Sequence, residues 1–187
     1  MAYQFHISIT NTEPIVWRRI FVSPDCTLQD FHLAIQGAFG WENYHMFQFC
    51  EQDLLDKKVY GIPDQMDETP VIDARRTKLN SIFKKIDDHY NYIYDFGDYW
   101  QHEIKLEGIS TDEISGPYCV AGESNCPPED SGGTSGYAHL LEVFRTPRHP
   151  EKSSFREWLA IGKTQDWDVD YFSVKEINKR LALLAYD

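Results

Sequence analysis

The chain has 187 residues and a formal net charge of −12, and its 42% hydrophobic content is enough for a packed core. With 18 basic and 30 acidic residues, its surface on average repels phosphate backbones, which argues against direct nucleic-acid binding. No apolar run is long enough to cross a membrane and no signal-peptide pattern is present, so the sequence predicts a cytoplasmic protein with no membrane partner.

The first fifty residues predict two strands, a helix and a third strand. Apolar and polar residues alternate in YQFHISIT, and β-branched and aromatic residues fill IVWRRIFV, where Arg18 and Arg19 are expected on the solvent face. The helix is expected to begin after Thr27, with Asp30 completing a near capping box, and to end at Gly40. HMFQFC predicts the third strand. This order suggests a β-grasp-like ββαβ unit in which the helix packs across a sheet.

The middle of the chain predicts a second hairpin between two loop regions. Residues 51–76 are acidic and rich in turn formers, and a short helix follows around Leu79 to Ile86. The stretch YDFGDYWQHEI then turns around Gly97, and alternation places Trp100 and His102 on the apolar face of its second strand. Residues 108–136 predict a long loop that contains glycine, proline and cysteine.

The last third of the sequence is predicted to be helical. One helix is expected at roughly 137–145, a second near Ser153 with Ser154 and Glu157 as a capping box, and a last one that carries Val174 and Ile177. The whole chain, residues 1–187, is therefore predicted to be a single α+β domain, with a β-grasp-like N-terminal unit, a second hairpin and a helical C-terminal third.

Five segments of this sequence together resemble a known family. They are PIVWRRIFV, TLQDFHLAIQGAFGW, YDFGDYWQHEI, CPPEDSGGTSGY and FSVKEINKRL. The chain is similar to the plasmid Ri open-reading-frame-three-like family, which implies a link to plasmids or insertion elements and a resolvase-like label with an undefined biochemistry. That family tends to carry a cysteine after PPED, where this chain has Ser131. Recombinases surround their nucleophile with basic groups, a pattern that the tyrosines here lack.

One functional hypothesis is a metal site. Cys119, Cys126 and His102 are the candidate ligands, and zinc is the metal that this ligand set suggests. The two cysteines are separated by VAGESN, a longer spacing than in the common zinc-binding signatures. The competing interpretation is that both cysteines pack the loop.

A second hypothesis is acid–base catalysis by Asp95, Asp98, His102 and Glu129 or Asp130, because carboxylates near a histidine can exchange protons with it. Alternation favours a core role for His102 instead. Aspartates that flank a glycine are common turn formers, and this offers a structural role for Asp95 and Asp98.

A third hypothesis is a non-catalytic interaction module. Tyr94, Phe96, Tyr99 and Trp100 lie near one turn, and tyrosine and tryptophan are favoured anchors at protein interfaces. The expected ligand is a protein partner or a second copy of the chain. Such a partner could also bind to an exposed sheet edge by adding a strand. The predicted functional surface is the cleft between the 94–104 hairpin and the 119–133 loop. The alternative is a metal-dependent hydrolase or nuclease that uses the same cleft.

Overall fold

The computed structural model describes residues 1–51, 58–65 and 69–184. Eight strands in these residues form one mixed sheet in the order β5-β4-β3-β6-β7-β1-β2-β8. The strands are β1 (Ala2–Ile9), β2 (Trp17–Val22), β3 (Phe47–Glu51), β4 (Val59–Gly61), β5 (Val71–Asp73), β6 (His89–Tyr94), β7 (Trp100–Ser110) and β8 (Tyr118–Glu123). The helices are α1 (Leu28–Phe39), α2 (Leu79–Ile82), α3 (Gly133–Arg145), α4 (Lys152–Trp158) and α5 (Val174–Leu181), and a 3₁₀ turn (Ala182–Leu184) follows.

The strand order separates β3 from β1 and β2. β1 pairs antiparallel with β2 and β7, whereas β3 pairs antiparallel with β4 and β6. Two strands, β6 and β7, therefore lie between β3 and β1. The α+β class is confirmed, but the β-grasp-like unit is not, because the pairing of β3 is decided by a strand forty residues later. Local alternation cannot specify such a partner.

Helix α1 begins and ends where the sequence predicts. Its capping box is complete: the backbone N–H of Asp30 donates to Thr27 Oγ1, and the N–H of Thr27 donates to the Asp30 carboxylate. Gly40 ends the helix in the left-handed conformation, with φ of 89°. The apolar face packs on the sheet, where the Phe31 ring lies 4.8 Å from Phe5.

Alternation along β2 and β7 decides which side chains are buried. The predicted apolar face of β7 is confirmed, since Trp100, His102, Ile104 and Leu106 are all buried. The solvent-face prediction holds only for Arg19, whose guanidinium pairs with Glu107 at 2.6 Å. Arg18 is 3% exposed. Arg18, Ile20 and Val22 are every second residue of β2, so all three side chains lie on its buried face.

Several loop predictions are corrected by added strands. Residues 118–123 form β8, which pairs with β2, and β4 and β5 lie within the predicted 51–76 loop.

α4 begins at Lys152 without a side-chain cap, so the capping box predicted at Ser154 is wrong. The Ser154 hydroxyl donates to the Glu151 carbonyl instead. α5 begins after Ser173, whose hydroxyl caps it. Among the described residues, no helix has the length and apolar character needed to cross a membrane.

Candidate functional site

The turn between β6 and β7 is shaped by its two aspartates. Asp95 adopts a left-handed conformation, with φ of 56°, and its Oδ1 accepts the Gly97 N–H at 2.9 Å. Asp98 Oδ2 accepts the N–H of Gly132 at 2.9 Å, which joins the turn to the loop before α3. Both side chains therefore organise backbone, as aspartates at turns commonly do.

Glu129 closes the predicted cleft between the hairpin and the loop. Its Oε1 accepts the Tyr94 hydroxyl at 3.0 Å and the Glu42 N–H at 2.8 Å. The Trp41 indole N–H donates to the Pro127 carbonyl at 2.9 Å. Burial, and then the Glu129 carboxylate, raise the pKa of the Tyr94 hydroxyl, so this tyrosine remains a proton donor. The interior of the cleft is thus filled by protein contacts, and its rim remains accessible.

Three potential metal ligands meet at that rim. His45 Nε2 lies 3.0 Å from Asp130 Oδ1 and 3.6 Å from Asp95 Oδ2. Within residues 1–51, 58–65 and 69–184, these three form the one group of at least three His, Cys, Asp or Glu donor atoms that all lie within 4.8 Å of one another. Asp95 is buried and Asp130 is exposed. Two of the candidate acid–base residues therefore come together around a histidine that the sequence analysis did not consider.

His45 reaches this position through strand pairing. The Asp95 N–H donates to the Met46 carbonyl at 2.9 Å, and Phe47 pairs with Tyr94 in the register of β3 and β6. The residue before Met46 is therefore held beside the turn. His45 is the first residue of the predicted strand HMFQFC, but its closeness to Asp95 depends on a register that the sequence does not reveal.

The residues proposed as zinc ligands lie in separate environments. His102 is fully buried, with Nδ1 3.0 Å from the Trp100 carbonyl, and burial lowers its pKa to about 3. Cys119 Sγ donates to the Ala121 carbonyl at 3.3 Å, while the Asn178 side chain holds its backbone. Burial raises the pKa of the Cys126 thiol. Within the described residues these three side chains form no cluster of donor atoms, because His102 lies on β7, and β1 and β2 separate that strand from β8, which carries Cys119.

The aromatic residues predicted as a binding surface divide into two pairs. Tyr94 and Trp100 are fully buried, whereas Phe96 and Tyr99 are 46% and 54% exposed. Tyr44 and Met46, just before β3, are also exposed. We name the exposed set of Tyr44, Met46, Phe96 and Tyr99 the turn surface. Tyr44 and Met46 flank His45 in the sequence and Phe96 follows Asp95, so this surface adjoins the three potential metal ligands.

Three of the five candidate acid–base residues are buried or engaged in hydrogen bonds that hold the structure together. Asp98 and Glu129 are each occupied by hydrogen bonds that hold the turn and the loop together. His102 is buried and remains neutral at physiological pH because its pKa is low. What stays accessible is a set of large hydrophobic side chains beside carboxylate oxygens.

Taken together, the sheet and the helices define an α+β protein with one eight-stranded mixed sheet and most of its helices in the C-terminal part. Residues 1–176 match the family described as "Plasmid pRiA4b ORF-3-like protein", and the chain belongs to this family, as its sequence segments predicted.

Two relatives extend the comparison across nearly the whole chain. The sequence is 33% identical over 184 residues to the uncharacterized protein y4hQ of Sinorhizobium fredii (strain NBRC 101917 / NGR234), covering 96% of this chain and 90% of that protein. The fold is similar to the crystal structure of a protein of unknown function, MM3350 from Methanosarcina mazei Go1, with a TM-score of 0.78 and 33% identity. That match covers 94% of this chain and 96% of the other. Neither description names an activity.

Proposed function

We propose that this protein is a non-catalytic binding module and that its partner docks on the turn surface. The observation that carries this proposal is the exposure of Phe96 and Tyr99 on a rigid turn whose backbone is fixed by hydrogen bonds. Aromatic side chains on a preorganised backbone lose little entropy when they bind, which makes them effective interface anchors.

The charges around the turn surface define the chemistry of the partner. Asp130 presents an exposed carboxylate 3.0 Å from His45, the residue between Tyr44 and Met46, and the whole chain carries a net charge of −12. A segment with both basic and apolar side chains would satisfy both features, and opposite charge would also speed its association. A protein or peptide segment of this kind is the partner that we propose.

Selection from a displayed library of random peptides tests this proposal. The immobilised protein should enrich peptides that combine lysine or arginine with aromatic or aliphatic residues. The double variant Phe96→Ser/Tyr99→Ser should lose these peptides. A matched control, Ile86→Ser/Ile109→Ser, removes two similarly exposed hydrophobic residues elsewhere on the surface and should keep them. Failure to enrich any peptide, or equal binding by both double variants, would overturn the proposal.

A second candidate function, metal-dependent hydrolysis, is favoured by one observation, the cluster of His45, Asp95 and Asp130. Imidazole nitrogen and carboxylate oxygen together suit Zn²⁺ and Mn²⁺. Binding of Mn²⁺ or Zn²⁺ alone, measured by electron paramagnetic resonance or titration calorimetry, should be weakened in His45→Ala. It should be unchanged in His139→Ala, which alters a histidine beside other carboxylates. Equal metal affinity in both variants would remove this candidate.

The family description also bears on the biological setting. Because the matched family is described by an open reading frame of a plasmid, we place this binding function in the context of plasmids or other mobile elements. Co-purification of the protein with a plasmid-encoded partner would support that setting, and exclusive association with partners unrelated to such elements would count against it.

A further inference from the structure

A second site lies away from the turn surface, where the sheet meets the C-terminal part of the chain. A cavity of about 320 Å³ opens there between the end of α1, the loop before α3 and the segment that leads into α5. Its lining includes two arginines, Arg18 and Arg180, and a glutamate, Glu129, and aromatic rings such as Trp41 and Trp167 form its walls. The volume falls in the range of small-molecule sites.

Arg18 is a buried cation without a carboxylate partner among the described residues. Its guanidinium donates only to backbone carbonyls, those of Ala38 at 3.2 Å, Trp17 at 2.7 Å, Glu123 at 2.8 Å and Ser124 at 2.9 Å. A guanidinium has five N–H donors, so one remains for another acceptor. The carbonyl at the C-terminal end of α1 offsets part of the charge, but no formal negative charge balances it. A buried charge without a counter-charge is costly unless something pairs with it.

The position of this guanidinium is fixed by aromatic side chains. The Phe39 ring lies 5.3 Å and the Phe172 ring 5.0 Å from the guanidinium carbon. Phe172 can approach this closely because residue 122 is glycine: a Cβ at Gly122 would lie 2.5 Å from the Phe172 ring. The site is therefore rigid before any ligand arrives, which lowers the entropy lost on binding.

Arg180 supplies a second positive charge at the edge of the cavity. Its Nε donates to the Gly37 carbonyl at 2.9 Å, and the rest of its guanidinium makes no further hydrogen bond with the described residues. Glu176 also lines the cavity, but its carboxylate pairs with Lys179 at 2.9 Å. Donors from two arginines thus face a space that holds no neutralising protein group in direct contact with them.

Glu129 contributes an unused acceptor to the same cavity. Its Oε1 accepts from Tyr94 and Glu42, but its buried Oε2 has no hydrogen-bond partner among the described residues. Arg18 and Glu129 line the same cavity, which therefore has one positively and one negatively charged group in its wall. A ligand with an acceptor at one end and a donor at the other would satisfy both.

We propose that this cavity binds a small aromatic carboxylate that also carries a hydrogen-bond donor, the chemistry of an aromatic amino acid. The carboxylate would accept the one remaining N–H of Arg18 and free N–H groups of Arg180, because charge-assisted hydrogen bonds between arginine and carboxylate are strong and directional. An ammonium group would donate to the free oxygen of Glu129. The aromatic ring would lie against the apolar walls formed by Trp41 and Trp167. This site is independent of the turn surface and does not depend on the peptide partner.

Three probes that share a benzyl group and differ in the charged groups they carry test the proposal. L-Phenylalanine, phenylacetate and phenethylamine are titrated while the intrinsic tryptophan fluorescence and ligand-observed NMR signals are followed. Phenylacetate should bind, L-phenylalanine should bind more tightly, and phenethylamine, which lacks the carboxylate, should bind at least about tenfold more weakly than phenylacetate. Binding of phenethylamine as tight as that of phenylacetate, or no binding of any probe at millimolar concentration, would overturn the proposal.

Substitutions test which side chains bind the carboxylate and the ammonium group of the ligand. Arg180→Met should weaken phenylacetate about tenfold, whereas Lys175→Met, an exposed change on the same helix outside the cavity lining, should leave it unchanged. Glu129→Gln keeps the acceptor for Tyr94 and should remove the preference for L-phenylalanine while phenylacetate still binds. Arg18→Met removes the hydrogen bonds to four carbonyls and is expected to lower stability. The proposal is therefore tested with Arg180→Met and Glu129→Gln. Unchanged affinities in both would refute the site.

Discussion

Acidification is expected to destabilise this protein through two buried histidines. His32 on α1 and His102 on β7 both lie in the core. Burial lowers the pKa of His32 to about 4 and that of His102 to about 3, from an ordinary value near 6.5.

The neutral form of His32 also has its hydrogen bonds satisfied. Its Nδ1 lies 2.7 Å from the Tyr92 hydroxyl and its Nε2 2.8 Å from Asn43 Oδ1. Gln36 donates to the same tyrosine oxygen at 3.0 Å. With these partners, the Tyr92 hydroxyl donates to Nδ1 and Nε2 donates to Asn43. In the protonated histidine, the Nδ1–H would point at the hydrogen of the Tyr92 hydroxyl, so protonation disrupts the network.

The magnitude follows from proton linkage. Near and below pH 6.5 the unfolded chain binds a proton at each histidine while the folded chain does not, so the free energy of unfolding falls as the pH falls. Between pH 7.5 and 5.5 this loss is about 1.4 kcal/mol for each group and about 3 kcal/mol for the pair. The loss is large beside a typical domain stability of roughly 5–15 kcal/mol. The half-buried His6, whose pKa is also lowered by burial, acts in the same direction.

Urea unfolding at pH 7.5, 6.5 and 5.5, followed by circular dichroism, measures this loss. His32→Gln removes one of the two titrating groups, so the loss between pH 7.5 and 5.5 should decrease by about 1.4 kcal/mol even if the variant is less stable at every pH. The control His139→Gln changes an exposed histidine on α3 and should retain the full loss. A wild-type stability that is constant across this range, or an unchanged loss in His32→Gln, would refute the reasoning.

Three substitutions and one control substitution test other parts of the structure. Gly122→Ala should cost about 1–3 kcal/mol, because the new Cβ would meet Phe172; Gly108→Ala, with its nearest atom at 3.6 Å, should change stability by less than about 0.5 kcal/mol. Thr27→Ala should cost about 1 kcal/mol through the lost capping box. Asp98→Ala should cost about 1 kcal/mol by freeing the loop before α3. Urea unfolding measures all of them, and equal stability of the two glycine variants would contradict the packing argument.

Local patterns predicted the elements whose determinants lie within a few residues. The capping box of α1, the glycine that ends it and the apolar face of β7 all follow from short spacings. Strands β4 and β5 were missed because each is short and lies in a segment rich in turn formers, and β8 was missed because its partner, β2, lies near the start of the chain. Whether such a strand forms depends on its hydrogen-bond pairing with another strand, which a local sequence pattern does not reveal.

In the candidate sites, too, residue types could be predicted from the sequence, whereas contacts that depend on strand pairing could not. Asp95 and Asp130 were identified from their residue types, but their meeting with His45 depends on the register of β3 and β6. Arg18 was expected on the solvent face, although it alternates with Ile20 and Val22, and the structure buries all three. An arginine at an apolar position of a strand is a signal of an internal polar site, because burying a charge is costly.

The most direct test of the binding function is the affinity of one enriched basic and apolar peptide, measured by titration calorimetry. If the turn surface is the docking site, the Kd for Phe96→Ser/Tyr99→Ser should be at least about tenfold higher than that for the wild-type protein. The Ile86→Ser/Ile109→Ser variant should bind like the wild type. Equal affinity of all three proteins for the peptide would contradict the proposal that this protein binds its partner through the turn surface.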